Sequence, residues 1–201
     1  EYSFNYQNWY PSTKYESKNT INNVGLFELS PFSKYQIKGD KAHEELQRLC
    51  TANIKNQIGK CTYTHMLNEG AGIETDLTVV CLEKNCFRII SSAAVRTHDK
   101  AHILKHLSKD LEFKDVTDEL ICLGIFGPKS RDLLSKITQD DLSNENFKFS
   151  TSKNIKLDSI NVWAQRLSYV GELGYELYIQ KENAEEIYDL IINTGKNFGL
   201  T

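Results

Sequence analysis

Two alternating apolar runs, residues 61–67 and 73–82, stand on either side of the short turn Asn68-Glu69-Gly70-Ala71-Gly72, and this pattern restricts the fold more than any other feature of the chain. Side chains that alternate with period two belong to strands, and so short a connection returns the chain antiparallel to itself. The arrangement recurs where 158–169 and 175–179 flank Gly171-Glu172-Leu173-Gly174. Further strands are expected at 25–29, 34–37, 87–92, 111–116 and 120–126. Helices are expected at about 41–50 with Asp40 as N-cap, at about 97–107, after Pro128 in a first turn, and at about 184–193 with Gly195 ending it. Strands outnumber helices, so the class is α+β, with mainly antiparallel sheets and packed helices. Residues 1–20 show no sustained period and read as an irregular lead-in, and the polar stretch 142–155 reads as the loosest part of the body.

Of the 201 residues 40% are apolar and 25% charged, enough for a sizeable core in one large domain or two small ones. The net charge of −3 gives no basic footprint, which argues against a nucleic-acid partner. The longest apolar runs, 77–82 and 120–126, fall far short of the roughly 20 residues of a membrane-spanning helix, so no membrane partner is expected. No basic segment followed by an apolar one marks a secretory signal. Five cysteines, odd in number and set in apolar segments, suit reduced core thiols. A start at Glu1, with Met66 the only methionine, reads as a processed or excised piece of a longer product.

His98, His102 and His106 recur every four residues, a spacing able to offer imidazoles to a metal. On a helical wheel they lie opposite Ala101, Leu104 and Leu107, so a solvated face is expected and no metal site is assigned. Cys81 and Cys86 lack a second pair at zinc-ribbon distance. No G-x-G-x-x-G or G-x-S-x-G occurs, so neither a dinucleotide turn nor a hydrolase elbow is present. Two segments combine acids, glycines and aromatics, 63–80 and 166–179. Asp76 interrupts an apolar strand, and a carboxylate there must face solvent, find a partner or belong to a site. Glu176 lies in a strand between aromatics, near Tyr169, Glu172 and Tyr175. Spacing alone leaves the outward-facing and the functional reading open for both acids.

The segments YTHMLNEGAGIETDLTV and RLSYVGELGYELYI, with VGLFELSPFSKYQIKG, LQRLCTANI, DELICLGIFGPKSRDLL and DLSNENFKFSTSKNIK in matching order, resemble the C-terminal folate-binding region of the dimethylglycine and sarcosine dehydrogenase family. More distantly the chain is similar to the aminomethyltransferase, or T-protein, of glycine cleavage. The resemblance runs from about Gln7 to the end and implies ferredoxin-like subdomains of the aminomethyltransferase folate-binding fold, as one T-protein-like folate-binding domain over 21–201. It implies that Asp76 is catalytic, relaying a proton at the reactive nitrogens of tetrahydrofolate. It implies that Glu176 grips the pterin through two parallel N–H bonds and that Tyr169 lines the same pocket.

The family's carbon comes from an oxidised N-methyl amine and is captured as methylene-tetrahydrofolate. FAD belongs to an N-terminal flavin domain of the parent protein, which is therefore an expected partner. Residence would be cytoplasmic in a bacterium and in the mitochondrial matrix in a eukaryote. The chain has Gly70-Ala71-Gly72 where the family has a Gly-Gly pair, and it stops before the family's arginine-containing folate segment and closing barrel. The domain is thus expected to be incomplete at its C-terminal end and inactive by itself. The alternatives are a stand-alone glycine-cleavage aminomethyltransferase and a non-catalytic folate-binding or scaffold module.

Overall fold

The computed structural model describes residues 3–201. In chain order the elements are α1 (Tyr10–Asn22), β1 (Gly25–Glu28), β2 (Ser33–Lys38), α2 (Ala42–Leu49), β3 (Cys61–Leu67), β4 (Ile73–Glu83), β5 (Cys86–Ser91), α3 (Arg96–His106), β6 (Glu112–Asp115), β7 (Leu120–Phe126), α4 (Ser130–Leu134), β8 (Ser152–Leu157), β9 (Ile160–Gln165), β10 (Gly174–Gln180) and α5 (Ala184–Gly195). They make two five-stranded sheets with antiparallel pairings, which is the expected α+β class. No helix among the described residues is long and apolar enough to cross a membrane. The chain divides into two compact units, the first comprising residues 29–121 and 150–153, the second the remainder.

The first unit carries the sheet β3-β4-β5-β2-β6. Alternation sends Leu77, Val79 and Cys81 of β4, with Tyr35, Ile37, Phe87 and Ile89, into one core with Leu46 of α2 and Ile103 of α3. Asp76 therefore lies on the sheet face away from these helices. All five cysteines of the chain are buried thiols outside any disulfide. Burial pushes the Cys50 thiol up to about 12, against a hydrogen bond from Thr64, so it is an inert core group.

Two expectations fail in this unit because polar partners override the apolar pattern. Asp40 does not cap α2: Lys41 holds the N-cap without a side-chain bond, and Asp40 Oδ1 accepts from Asn85 Nδ2 at 2.9 Å. The inward face of α3 is Asp99, Ile103 and Leu107, while Ala101 and Leu104 are exposed and His102 and His106 are half-buried. Asp99 can be drawn inside because Thr75 Oγ1 donates to its Oδ2 at 2.8 Å.

The N-terminus of α3 is tied to β6 by charge. Arg96 Nη2 reaches both oxygens of Asp115 at 3.1 Å, and Lys100 Nζ donates to the same carboxylate at 3.2 Å. Burial pushes this carboxyl up, but the Thr117 hydroxyl and amide, Arg96 and Lys100 outweigh it and hold it at about 2. A carboxylate depressed on folding contributes stability that is complete above its unfolded pKa near 4 and lost as pH falls through about 2. The contribution is about 2 kcal/mol at neutral pH. Denaturation measured between pH 5 and 2 should show an acid limb that Asp115→Asn largely removes; an unchanged limb refutes the assignment.

The second unit carries the sheet β1-β7-β10-β9-β8. Register pairs Glu176 with Gln165, Leu177 with Ala164 and Tyr178 with Trp163. Tyr175, Leu177 and Ile179 share the face packed by α4 and α5, as the bond from Arg131 Nε to the Tyr175 hydroxyl at 3.1 Å fixes. Glu176 and Tyr178 occupy the opposite face.

Residues 3–20 are not simply irregular, since α1 occupies Tyr10–Asn22 with Pro11 at its start; the first two residues of the expected lead-in lie outside the described residues. Thr20 is its one buried residue among those described, so no apolar stripe announces it. Polar side chains dock it instead: Asn19 Nδ2 donates to Val24 O at 3.1 Å and to Gly199 O at 2.6 Å.

The segment 142–155 is likewise not loose. Leu142 and Phe147 are buried, Arg131 and Arg166 both donate to Asn144 Oδ1 at 2.7 Å, and β8 follows. Asp158, expected within a strand, turns β8 into β9 at φ +53°. Pro128 precedes α4 rather than sitting in its first turn, for Gly127 to Ser130 form the entering turn. Gly195 is not the expected stop: it is the last residue of α5 in right-handed helical conformation, and a 3-10 turn carries on over Lys196–Phe198 to Gly199, whose φ of +70° ends the helical run.

Candidate functional site

The hairpin β3–β4 holds the first acid. Its five-residue turn is organised by Asn68, whose Oδ1 accepts from the amides of Gly70 at 3.0 Å and Gly72 at 2.9 Å. Ala71 carries φ +63° there, where an alanine costs about 1 kcal/mol more than a glycine would. The register sets His65 directly opposite Asp76 and Tyr63 one pleat further on the same face. Tyr63 donates its hydroxyl to Asp76 Oδ2 at 3.0 Å, and its ring meets that of His65 edge-on at 5.4 Å. Asp76 is exposed, so this carboxylate is accessible and has an internal donor.

Behind the hairpin a polar chain locks it to α3. Asn68 Nδ2 donates to Glu74 Oε1 at 2.9 Å, Glu74 Oε2 lies 3.0 Å from His98 Nε2, and His98 Nδ1 lies 3.1 Å from Asp99. Asp99 and then Glu74 raise the imidazole above its ordinary pKa, while Asn68 first and then His98 lower Glu74. An open polar cleft of about 430 Å³ lies beside this chain, lined in part by Glu69, His102, Lys105 and His106. It includes none of the expected site residues.

The second unit holds Glu176 and Tyr169. Glu176 is 6% exposed, and the Tyr178 hydroxyl donates to its Oε2 at 2.8 Å. Burial raises its carboxyl pKa, while the Tyr178 hydroxyl works in the opposite direction. Beside it on β9 stand Gln165, fully buried, and Trp163, whose indole N–H is buried without an acceptor among the described residues. Tyr169 lies in the loop between β9 and β10 with 68% of its surface exposed. Glu176 and Tyr169 thus belong to one compact unit and Asp76 to the other.

The model of the GCVT N-terminal domain matches residues 1–201. The chain belongs to this family. Its GCVT domain is 37% identical to the mitochondrial dimethylglycine dehydrogenase of Rattus norvegicus over 98% of this chain and 23% of that one. It is 35% identical to the 4-methylaminobutanoate oxidase (formaldehyde-forming) of Paenarthrobacter nicotinovorans, covering 100% of this chain and 24% of the relative. The chain therefore spans about a quarter of the length of these relatives. Among solved structures, the glycine cleavage system aminomethyltransferase T of Bartonella henselae superposes with a TM-score of 0.80 at 22% identity, over 93% of this chain and 49% of that one. This likeness establishes the fold.

Within the GCVT domain, Tyr63, Tyr178 and Trp163 stand beside the two acids, and sequence reading did not single them out. Their signal was a register signal. Tyr178 is two residues from Glu176, and Tyr63 is two from His65, the cross-strand partner of Asp76.

Proposed function

We propose that this region binds tetrahydrofolate and receives the carbon released from an oxidised N-methyl amine, within a dimethylglycine or sarcosine dehydrogenase-like protein. The observation that carries the reading is Glu176: a carboxylate buried on a strand with a single internal donor, Tyr178, among its described bonds. Such a group needs further N–H donors to stay ionised. A pterin's ring N–H and amino group would supply two in parallel, matching the chemistry of a carboxylate. The unspent indole N–H of Trp163 adds a donor for a ring heteroatom on the same face.

Bound there, tetrahydrofolate would supply a nucleophilic nitrogen for a carbon at the oxidation level of formaldehyde. Asp76 would accept or relay the proton of that nitrogen, and its exposure leaves it free to exchange the proton onward. Tyr63 would orient the Asp76 carboxylate, and Tyr169 would lie against the ligand's ring. Oxidation of the amine is assigned to a flavin-bearing part of the same protein.

Titration of tetrahydrofolate into the whole protein tests this reading. Glu176→Ala should weaken binding about a hundredfold, the loss of two bonds to a charged group. Asp76→Asn should bind within a few-fold yet transfer carbon roughly a hundred times more slowly. Equal folate affinity in the unaltered protein and Glu176→Ala removes the anchor and with it the proposal.

A further inference from the structure

Of the hydrogen bonds to the candidate acids, the one between Glu176 and Tyr178 is the most sheltered. Tyr178 is 3% exposed, and its hydroxyl lies 2.8 Å from Glu176 Oε2. The two residues sit two apart on β10, so their side chains leave the same face side by side. A carboxylate's terminal torsion is broad, and a single unrestrained carboxylate presents its oxygens over a range of directions. A donor fixed on one oxygen removes that freedom, and Tyr178 is itself fixed by burial.

We propose that Tyr178 is a positioning residue for ligand recognition: its hydroxyl holds the Glu176 carboxylate in one orientation and leaves the remaining acceptor sites for paired N–H groups of a planar amino-heterocycle. This rests on the folate reading. Tyr178 reaches the ligand only through Glu176. On β10 and β9 the acid's neighbours on its face are Tyr178 itself, neutral Gln165 and Trp163, while Cys122 of β7 interacts with Tyr178. The bond to Tyr178 also favours the ionised carboxylate against the burial that opposes it. The chain thus provides one of the donors that a buried anchor needs, and the ligand provides the others.

The test is tetrahydrofolate affinity of the whole protein as a function of pH, for the unaltered sequence, Glu176→Ala and Tyr178→Phe. Glu176 must be ionised to accept two N–H bonds, so affinity falls as pH drops through its pKa. Tyr178→Phe keeps the ring and removes the donor; affinity should fall about tenfold or more, and the acid midpoint of binding should move to higher pH. Fluorinated tyrosine at position 178, a stronger donor of nearly the same shape, should move the midpoint the other way and serves if Tyr178→Phe does not fold. A midpoint unmoved in every Tyr178 variant, with folate still bound and Glu176→Ala still impaired, overturns the positioning role and spares the folate reading. No folate binding by the unaltered protein overturns both.

Discussion

Gly127→Ala is expected to remove on the order of 3 kcal/mol of stability, a large share of the roughly 5–15 kcal/mol that holds a typical domain folded. Gly127 has φ +129°, a region essentially closed to residues with a Cβ. It is also crowded by backbone: a Cβ there would stand 2.5 Å from Asn23 O, 2.6 Å from Thr20 O and 2.9 Å from Val24 Cα. Backbone at the end of α1 has no flexible terminus to swing aside, and the Gly127 amide is committed to Leu173 O at 2.7 Å. Gly171 separates the two causes, because it has φ +77° but nothing within 4 Å of its added Cβ. Gly171→Ala should therefore cost about 1 kcal/mol, from backbone conformation alone. Denaturant unfolding of both variants checks the difference; equal costs would mean that the close approach at Gly127 is absorbed without strain.

The second large effect is expected in the segment whose composition looks least like a core. Phe147 is 1% exposed, its ring lies 5.6 Å from that of Tyr175, and its backbone amide donates to Ser143 O at 2.8 Å. Phe147→Ala should cost about 3–5 kcal/mol, the usual price of a cavity left by a buried phenyl ring. Phe149, two residues on, is 69% exposed, and its truncation should change stability by less than about 0.5 kcal/mol. A Phe147→Ala protein with an unfolding midpoint like that of Phe149→Ala would show that this segment does not anchor the second unit.

The contrast between Phe147 and Phe149 shows where sequence reasoning reaches its limit. The hairpin β3–β4 was legible because period-two alternation and the Asn68–Gly72 turn are both local, and its bounds fall where the pattern places them. Helix α1 was not, because Asn19 holds it by polar bonds to the backbone of Val24 and of distant Gly199, leaving no stripe to read. The α3 wheel pointed the wrong way for a related reason: Thr75, far off in sequence, makes Asp99 an interior residue. Order within 142–149 depends on Arg131 and Arg166, which the segment itself does not contain.

The acids follow the same division. Alternation alone offers an outward-facing position as the default for both; Asp76 is indeed exposed, whereas Glu176 is buried. Their suggested roles came from family resemblance. The tyrosines that serve each acid became visible only once strand register was known.

Strand β10 imposes a rule on how this region can diverge. Tyr175, Leu177 and Ile179 face α4 and α5, while Glu176 and Tyr178 face the other way, so helix-packing side chains alternate with the proposed ligand-binding ones along the strand. Loss or gain of one residue inside the strand would exchange the two sets, burying the acid against the helices and turning aliphatic chains toward the opposite face. The loop 166–173 has no such parity to keep. Length variation among homologues should therefore collect in that loop, while β10 accepts substitution but neither insertion nor deletion.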